Sequence, residues 1–142
     1  MPQTIELEVI TSTDVLVKAS IAELYIPAYY GQAGILEYHL PYISVLKAGE
    51  VAYRDTQGIV HYLFIHDGFL KTLRNKITII SDRVEMEEDL DKSEIESRQS
   101  ELARKIKAAP QGDITVEELD RALAEQKEIK IKVDILKKIE QK

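Results

Sequence analysis

Lys76-Ile77-Thr78-Ile79-Ile80-Ser81-Asp82-Arg83-Val84-Glu85-Met86-Glu87-Glu88-Asp89-Leu90-Asp91-Lys92-Ser93-Glu94-Ile95 decides the fold. Up to Ser81 the apolar residues alternate with the period of two that belongs to a strand; beyond Asp82 they recur every three to four residues, the period of a helix. The fold class predicted is therefore a mainly β N-terminal sandwich over residues 1–84, followed by a C-terminal α-helical hairpin over residues 90–142.

Upstream of that switch the same alternation recurs. Ile5, Leu7 and Val9 alternate with Glu6 and Glu8, and Val15, Val17, Ala19 and Ile21 alternate with Lys18 and Ser20. Further strands are predicted at 23–27, 42–47, 50–54, 60–66, 69–74 and 76–81, all rich in β-branched and aromatic residues. Turn chemistry separates them at Ser12-Thr13-Asp14, Ala48-Gly49, Asp55-Thr56-Gln57-Gly58, Asp67-Gly68 and Asn75-Lys76. Many short strands with no helical pattern between them imply an antiparallel sandwich or flattened barrel.

Downstream, Asp91 with Glu94 three residues later has the spacing of a capping box and predicts a helix start. Its apolar stripe is thin: Ile95, Leu102, Ala103 and Ile106. Ala108-Ala109-Pro110-Gln111-Gly112-Asp113 breaks it, and Thr115 with Glu118 starts a second helix. There Val116, Leu119, Leu123, Ile129, Val133 and Leu136 are read as one stripe, with Ile131, Ile135 and Ile139 as a flank. Continuous, this helix would reach about 40 Å. Stripes this thin predict a marginal hairpin, and so a switchable one.

Composition narrows the function classes. With 142 residues, 44% hydrophobic, 31% charged and a net charge of -6, the chain reads as a folded soluble protein, and its acidic total argues against nucleic acid as a partner. No apolar run approaches the roughly 18 residues of a spanning helix, and Met1-Pro2-Gln3-Thr4 opens no leader pattern, so no direct membrane insertion is expected. The absence of cysteine excludes thiol catalysis and thiolate metal sites and fits a reducing compartment. Residues 82–101 carry nine acidic side chains against three basic, whereas 127–142 carry six lysines against three acids. Lys130, Lys132, Lys137 and Lys138 are read either as a solvated face or as a basic tip that seeks an acidic protein surface.

Equipment for chemistry is sparse. His39, His61 and His66 have no paired metal-ligand spacing, and no phosphate loop, nucleophile elbow or zinc motif is present. Neither a catalytic residue, a metal site nor a cofactor is expected. Two alternatives stay open on these residues: a metal-dependent hydrolase, which would need the three histidines to converge with a carboxylate, and a β-sandwich binding module whose helices dimerise as a coiled coil.

The run Pro27-Ala28-Tyr29-Tyr30-Gly31-Gln32-Ala33-Gly34-Ile35-Leu36-Glu37-Tyr38-His39-Leu40-Pro41 reads as a protruding glycine-containing loop held between two prolines. Together with Leu46-Lys47-Ala48-Gly49-Glu50-Val51, Asp67-Gly68-Phe69-Leu70 and Asn75-Lys76-Ile77-Thr78-Ile79-Ile80-Ser81-Asp82, it resembles the epsilon subunit of F-type (rotary) ATP synthases. The resemblance covers essentially the full length. It implies a non-catalytic central-stalk subunit whose sandwich clasps the gamma subunit and rests on the ring of membrane c subunits. The hairpin would be the regulatory part, extending toward the alpha and beta catalytic subunits to inhibit ATP hydrolysis. Tyr29, Tyr30, Gly31 and Gln32 would face the ring, and His39, Leu40 and Tyr42 the gamma and ring contact. Gln32 stands where many relatives carry an acid, and Glu37-Tyr38 where the family usually has Pro-Gly. Some relatives bind ATP through a motif opening the first helix; Asp91 matches it, but Glu94 replaces its arginine, so no nucleotide is expected. The implied address is peripheral, on the cytoplasmic face of the plasma (inner) membrane, or on the thylakoid membrane for a plastid-encoded chain.

Overall fold

The computed structural model describes residues 4–28, 31–35, 42–112 and 114–141. The chain divides into two compact units, residues 1–87 and 88–142.

The first unit is a sandwich of nine described strands: β1 (Ile5–Ile10), β2 (Val15–Ala28), β3 (Gly31–Ile35), β4 (Tyr42–Leu46), β5 (Gly49–Asp55), β6 (Val60–Ile65), β7 (Gly68–Leu73), β8 (Lys76–Ile80) and β9 (Val84–Met86). They run in the order β1-β8-β7-β4-β2-β5-β6-β9, with β3 beside β2, and β1 also pairs with β2. Alternation puts Ile5, Leu7 and Val9 inside, where they meet Val17, Ile21, Leu24, Ile26, Leu46, Val51, Leu63, Ile65, Leu70, Ile77 and Ile79 in one buried cluster. Each such aliphatic side chain contributes about 1.5–3 kcal/mol on burial.

Two strands predicted over 15–22 and 23–27 are one, β2. Its pairing with β5 shifts register between Ile21 and Glu23, a bulge that inserts one residue. The core set changes phase there, from Val17 and Ile21 to Leu24 and Ile26, and these four are buried. One strand can then pair with β1 through Val15–Ile21 and with β5 through Ile21–Tyr25, so it belongs to both layers.

Other differences are local. Gly31–Ile35, read as loop, is a strand paired with Leu24–Ala28, and Val84–Met86 adds a short strand on β6. β1 and β8 pair in parallel, Leu7 beside Ile77, because the whole sandwich serves as the crossover between them. The β7–β8 turn is Arg74-Asn75 rather than Asn75-Lys76, since Leu73 and Lys76 are already paired.

The second unit is a helical hairpin of α1 (Lys92–Ala108) and α2 (Val116–Glu140). Both predicted caps form: Asp91 Oδ1 accepts from the Glu94 N–H at 3.2 Å, and Thr115 Oγ1 from the Glu118 N–H at 3.1 Å. Between the helices Gly112 takes φ +79°, a conformation that favours glycine. Leu102, Ala122 and Ile129 form the hairpin core, with Ile95, Ile106 and Val133 packed against them. The predicted α2 stripe is corrected here, because Val116 and Leu123 are 75% and 39% exposed. At about 100° per residue they stand roughly 100–120° around the helix from Ala122, off the face that α1 covers.

Candidate functional site

β4, β7 and β8 carry large apolar residues on both faces. Antiparallel pairing sets Val45 opposite Phe69 and Ile43 opposite Lys71, then Phe69 opposite Ile80. The inward positions, Leu46, Leu70, Thr72, Ile77 and Ile79, are buried. Alternation then forces Ile43, Val45, Phe69, Leu73 and Ile80 outward, where they are 73%, 52%, 54%, 49% and 40% exposed. Val45, Phe69 and Ile80 form a cross-strand row, and the exposed Lys71 stands among the apolar side chains. Exposed apolar surface of this extent marks an interaction site more often than an accident of composition.

One end of the face deepens into a groove of about 380 Å³ lined by Val45, Lys47, Gly68, Phe69, Ile80 and Asp82, among others. Its floor is tight. A Cβ on Gly68 would collide with the Ile80 carbonyl oxygen, and the buried Ser81 hydroxyl lies 2.6 Å from the Asp67 carbonyl that accepts its proton.

The residues singled out in the sequence are only partly among the described ones. Tyr29, Tyr30, His39 and Leu40 lie outside the described residues. Gly31 and Gln32 are on β3, paired with Ala28 and Pro27, and Tyr42 opens β4, paired with Thr72. Tyr42 therefore starts the strand that carries Ile43 and Val45. At the other end of that strand Leu46 pairs with Ala28, the last β2 residue before segment 29–30.

The two described histidines, His61 and His66, have separate partners. His61 Nε2 lies 2.9 Å from Asp55 Oδ2, and its ring stacks on Tyr53 at 4.9 Å. That hydrogen bond, with the Ile59 and Gln57 N–H groups on the other oxygen, holds the Asp55 carboxyl below its ordinary value. His66 instead sits against Phe64, 3.5 Å from a Glu85 oxygen, and His39 is outside the described residues. Among the described residues no three His, Asp or Glu side chains gather as a metal site.

In the hairpin, Arg98 grips Glu125 with both arms of its guanidinium, Nε to Oε2 at 2.6 Å and Nη2 to Oε1 at 2.8 Å, while Nη1 reaches Glu101 at 3.0 Å. Lys92 Nζ meets Glu140 at 3.0 Å and so joins the first residue of α1 to the last of α2. The fork holds the Glu125 carboxyl low against the cost of burial, Lys132 and Lys105 adding smaller pulls, and raises the Arg98 guanidinium through Glu125 and then Glu101. Asp91 is occupied as a cap. Of the four lysines singled out on α2, Lys130 and Lys137 share one side at seven-residue spacing, while Lys132 and Lys138 point elsewhere, so they form no single patch.

The outer face and the fork escaped the sequence reading. The face had a signal: Val45-Leu46, Phe69-Leu70 and Ile79-Ile80 double the apolar residue where a half-solvated strand alternates. The fork joins positions 27 apart and has no local signature.

Comparison with known proteins agrees with this architecture. The family described as ATP synthase, Delta/Epsilon chain, beta-sandwich domain matches residues 4–87. The ATP synthase epsilon chain of Desulfosudis oleivorans is 29% identical over 108 residues, 76% of this chain and 81% of that one. That of Desulfatibacillum aliphaticivorans is 34% identical over 91 residues, 64% of either chain. A chain in the cryo-EM structure of the Euglena gracilis mitochondrial ATP synthase superposes with a TM-score of 0.69 at 17% identity, covering 99% of this chain and 82% of that one, a likeness of fold.

Proposed function

Because the chain belongs to the ATP synthase delta/epsilon family, as a non-catalytic epsilon subunit of the rotor, we propose that its residues 1–84 dock the gamma subunit and the c ring while residues 90–142 regulate ATP hydrolysis. The observation that carries the docking half is the exposed apolar face of Ile43, Val45, Phe69, Leu73 and Ile80. In this reading the gamma subunit covers that face, and segment 29–32 with His39 and Leu40 meets gamma and the ring. The subunit is then peripheral, on the cytoplasmic side of its membrane or on a thylakoid; among the described residues no helix is long and apolar enough to cross one.

The regulatory half rests on the hairpin. The cluster between the helices is Leu102, Ala122 and Ile129 with their flanks, Ile135 being buried on α2 as well, and the interhelix ties are exposed ion pairs that add little to hold the helices together. A few kcal/mol between closed and extended forms lets both be populated. When extended, the lysines of α2 would meet the alpha and beta subunits. Glu94 at the start of α1 sets a negative charge where an ATP phosphate would need a cation, so nucleotide plays no part in holding this hairpin.

The test is reconstitution. The full chain and a 1–87 fragment are each added to a rotary ATPase depleted of its epsilon subunit, and hydrolysis and ion pumping are measured together. Both are expected to restore coupling, and only the full chain to slow hydrolysis. Failure of both to bind rejects the docking role; equal hydrolysis with either rejects the regulatory one.

A further inference from the structure

The groove at the end of the outer face has features that the rest of the face lacks. It is concave and about 380 Å³, near the lower end of the roughly 300–1,000 Å³ typical of sites that bury a guest. Its walls, Val45, Phe69 and Ile80, are half-exposed apolar side chains held in register by the β4–β7–β8 ladders. Its floor is preformed, because Gly68 lies against the Ile80 carbonyl and Ser81 is tied to Asp67. The buried polar side chain in the lining, Ser81, already spends its proton on a backbone carbonyl, so it offers a small polar ligand no donor. An apolar side chain needs none.

The rim is charged. Asp67 and Asp82 line it against Lys47, two carboxylates to one ammonium. A guest that brings a cation beside its apolar anchor gains from that imbalance, and one that brings a carboxylate loses. Leu46, which also lines the groove, pairs with Ala28 at the end of β2.

We propose that this groove is the anchor point of the docking face: it receives one large apolar side chain of the gamma subunit, with a neighbouring lysine or arginine of that subunit paired to Asp67 or Asp82. This rests on the docking role proposed above and adds to it where on the face the affinity is concentrated. Interfaces commonly draw most of their affinity from a few anchors seated in pockets.

The experiment is calorimetric titration of the gamma subunit of the same complex into the full chain, at low and at raised salt. Phe69→Ala and Ile80→Ser open the groove without touching the core, and Ile43→Ser alters the same face away from it. Asp82→Lys reverses the rim charge. Thermal melts of each variant establish that it folds, and Val45→Ser replaces any that does not. The groove variants are expected to weaken binding at least tenfold, and Ile43→Ser no more than about threefold, given how hot spots concentrate. Asp82→Lys is expected to weaken binding and flatten its salt dependence. If Ile43→Ser weakens binding as much as the groove variants, the face docks but has no anchor, and the inference fails while the docking role stands. If every variant binds like the parent, docking lies elsewhere and the face assignment fails too. If the parent chain does not bind gamma, the docking role itself is wrong.

Discussion

Arg74 is the one non-glycine with positive φ, +58°, among the described residues, and it occupies the first position of a two-residue hairpin turn where glycine is favoured. Arg74→Gly removes that strain and is expected to stabilise the sandwich by about 0.5–1 kcal/mol, offset in part by added freedom of the unfolded chain, as a denaturant titration would read. A lower midpoint at unchanged slope would show that the guanidinium contributes more than its backbone strain costs. Gly68 is the converse case. Its Cα faces a backbone carbonyl that cannot step aside, so Gly68→Ala must part β7 from β8 and is expected to destabilise by roughly 1–3 kcal/mol or more, by the cost of overpacking. A melt within a degree of the parent would mean that the strands separate freely there. From sequence, Asp67-Gly68 read as a plain turn; the reason for the glycine is a neighbour contributed by β8, which local chemistry does not reveal.

At the scale of elements, the helices were the most legible part, since caps and breakers act within a few residues. Asp91, Thr115 and Gly112 each do what their positions suggested. What failed was the side of α2 that is covered: its apolar residues spread around the helix, so periodicity alone could not choose among the faces. Strand β3 was missed because Gly31-Gln32-Ala33-Gly34 has turn composition and is extended only by pairing to β2. The Arg98–Glu125 fork supplies a test of the hairpin by itself. Glu125 titrates below its ordinary 4.5 when folded, so the folded hairpin takes up that proton less readily than the unfolded one. Its contribution is complete above about pH 4.5 and is lost as pH falls through the lowered value. With both partners more than a third exposed the contribution is modest, a few tenths to about 1 kcal/mol. Glu125→Gln is expected to remove it at neutral pH and to flatten the acid limb of helix melting, followed by circular dichroism. An unchanged acid limb would assign that limb to the other carboxylates. Because the pairs are exposed, raised salt should weaken the closed hairpin as well.

For the whole molecule, the sandwich core draws on residues from Ile5 to Ile79, with Val84 and Met86 packed against it, so the 1–87 fragment is expected to melt as one cooperative unit. A broad, non-cooperative transition would show that residues beyond 87 are needed for its fold. The architecture was readable in advance because a β pattern and an α pattern meet at one point in the chain. The site was less so: the face proposed for docking is made by the doubled apolar residues of β4, β7 and β8, and which of each pair turns outward depends on cross-strand partners rather than on near neighbours.

The long strand β2 has a further consequence, in the exchange of backbone amide hydrogens with solvent. A strand hydrogen-bonded to β1 along one stretch and to β5 along the next cannot be released by fraying either layer alone. Its amides between Val17 and Leu24 should therefore exchange only through global unfolding and report the full stability of the sandwich. The amides of α1 and α2, behind a small core and exposed ion pairs, should exchange through local opening at far lower cost. A single deuterium-labelling time course would separate a body that gives up its amides only by unfolding as a whole from an arm that gives them up piecemeal.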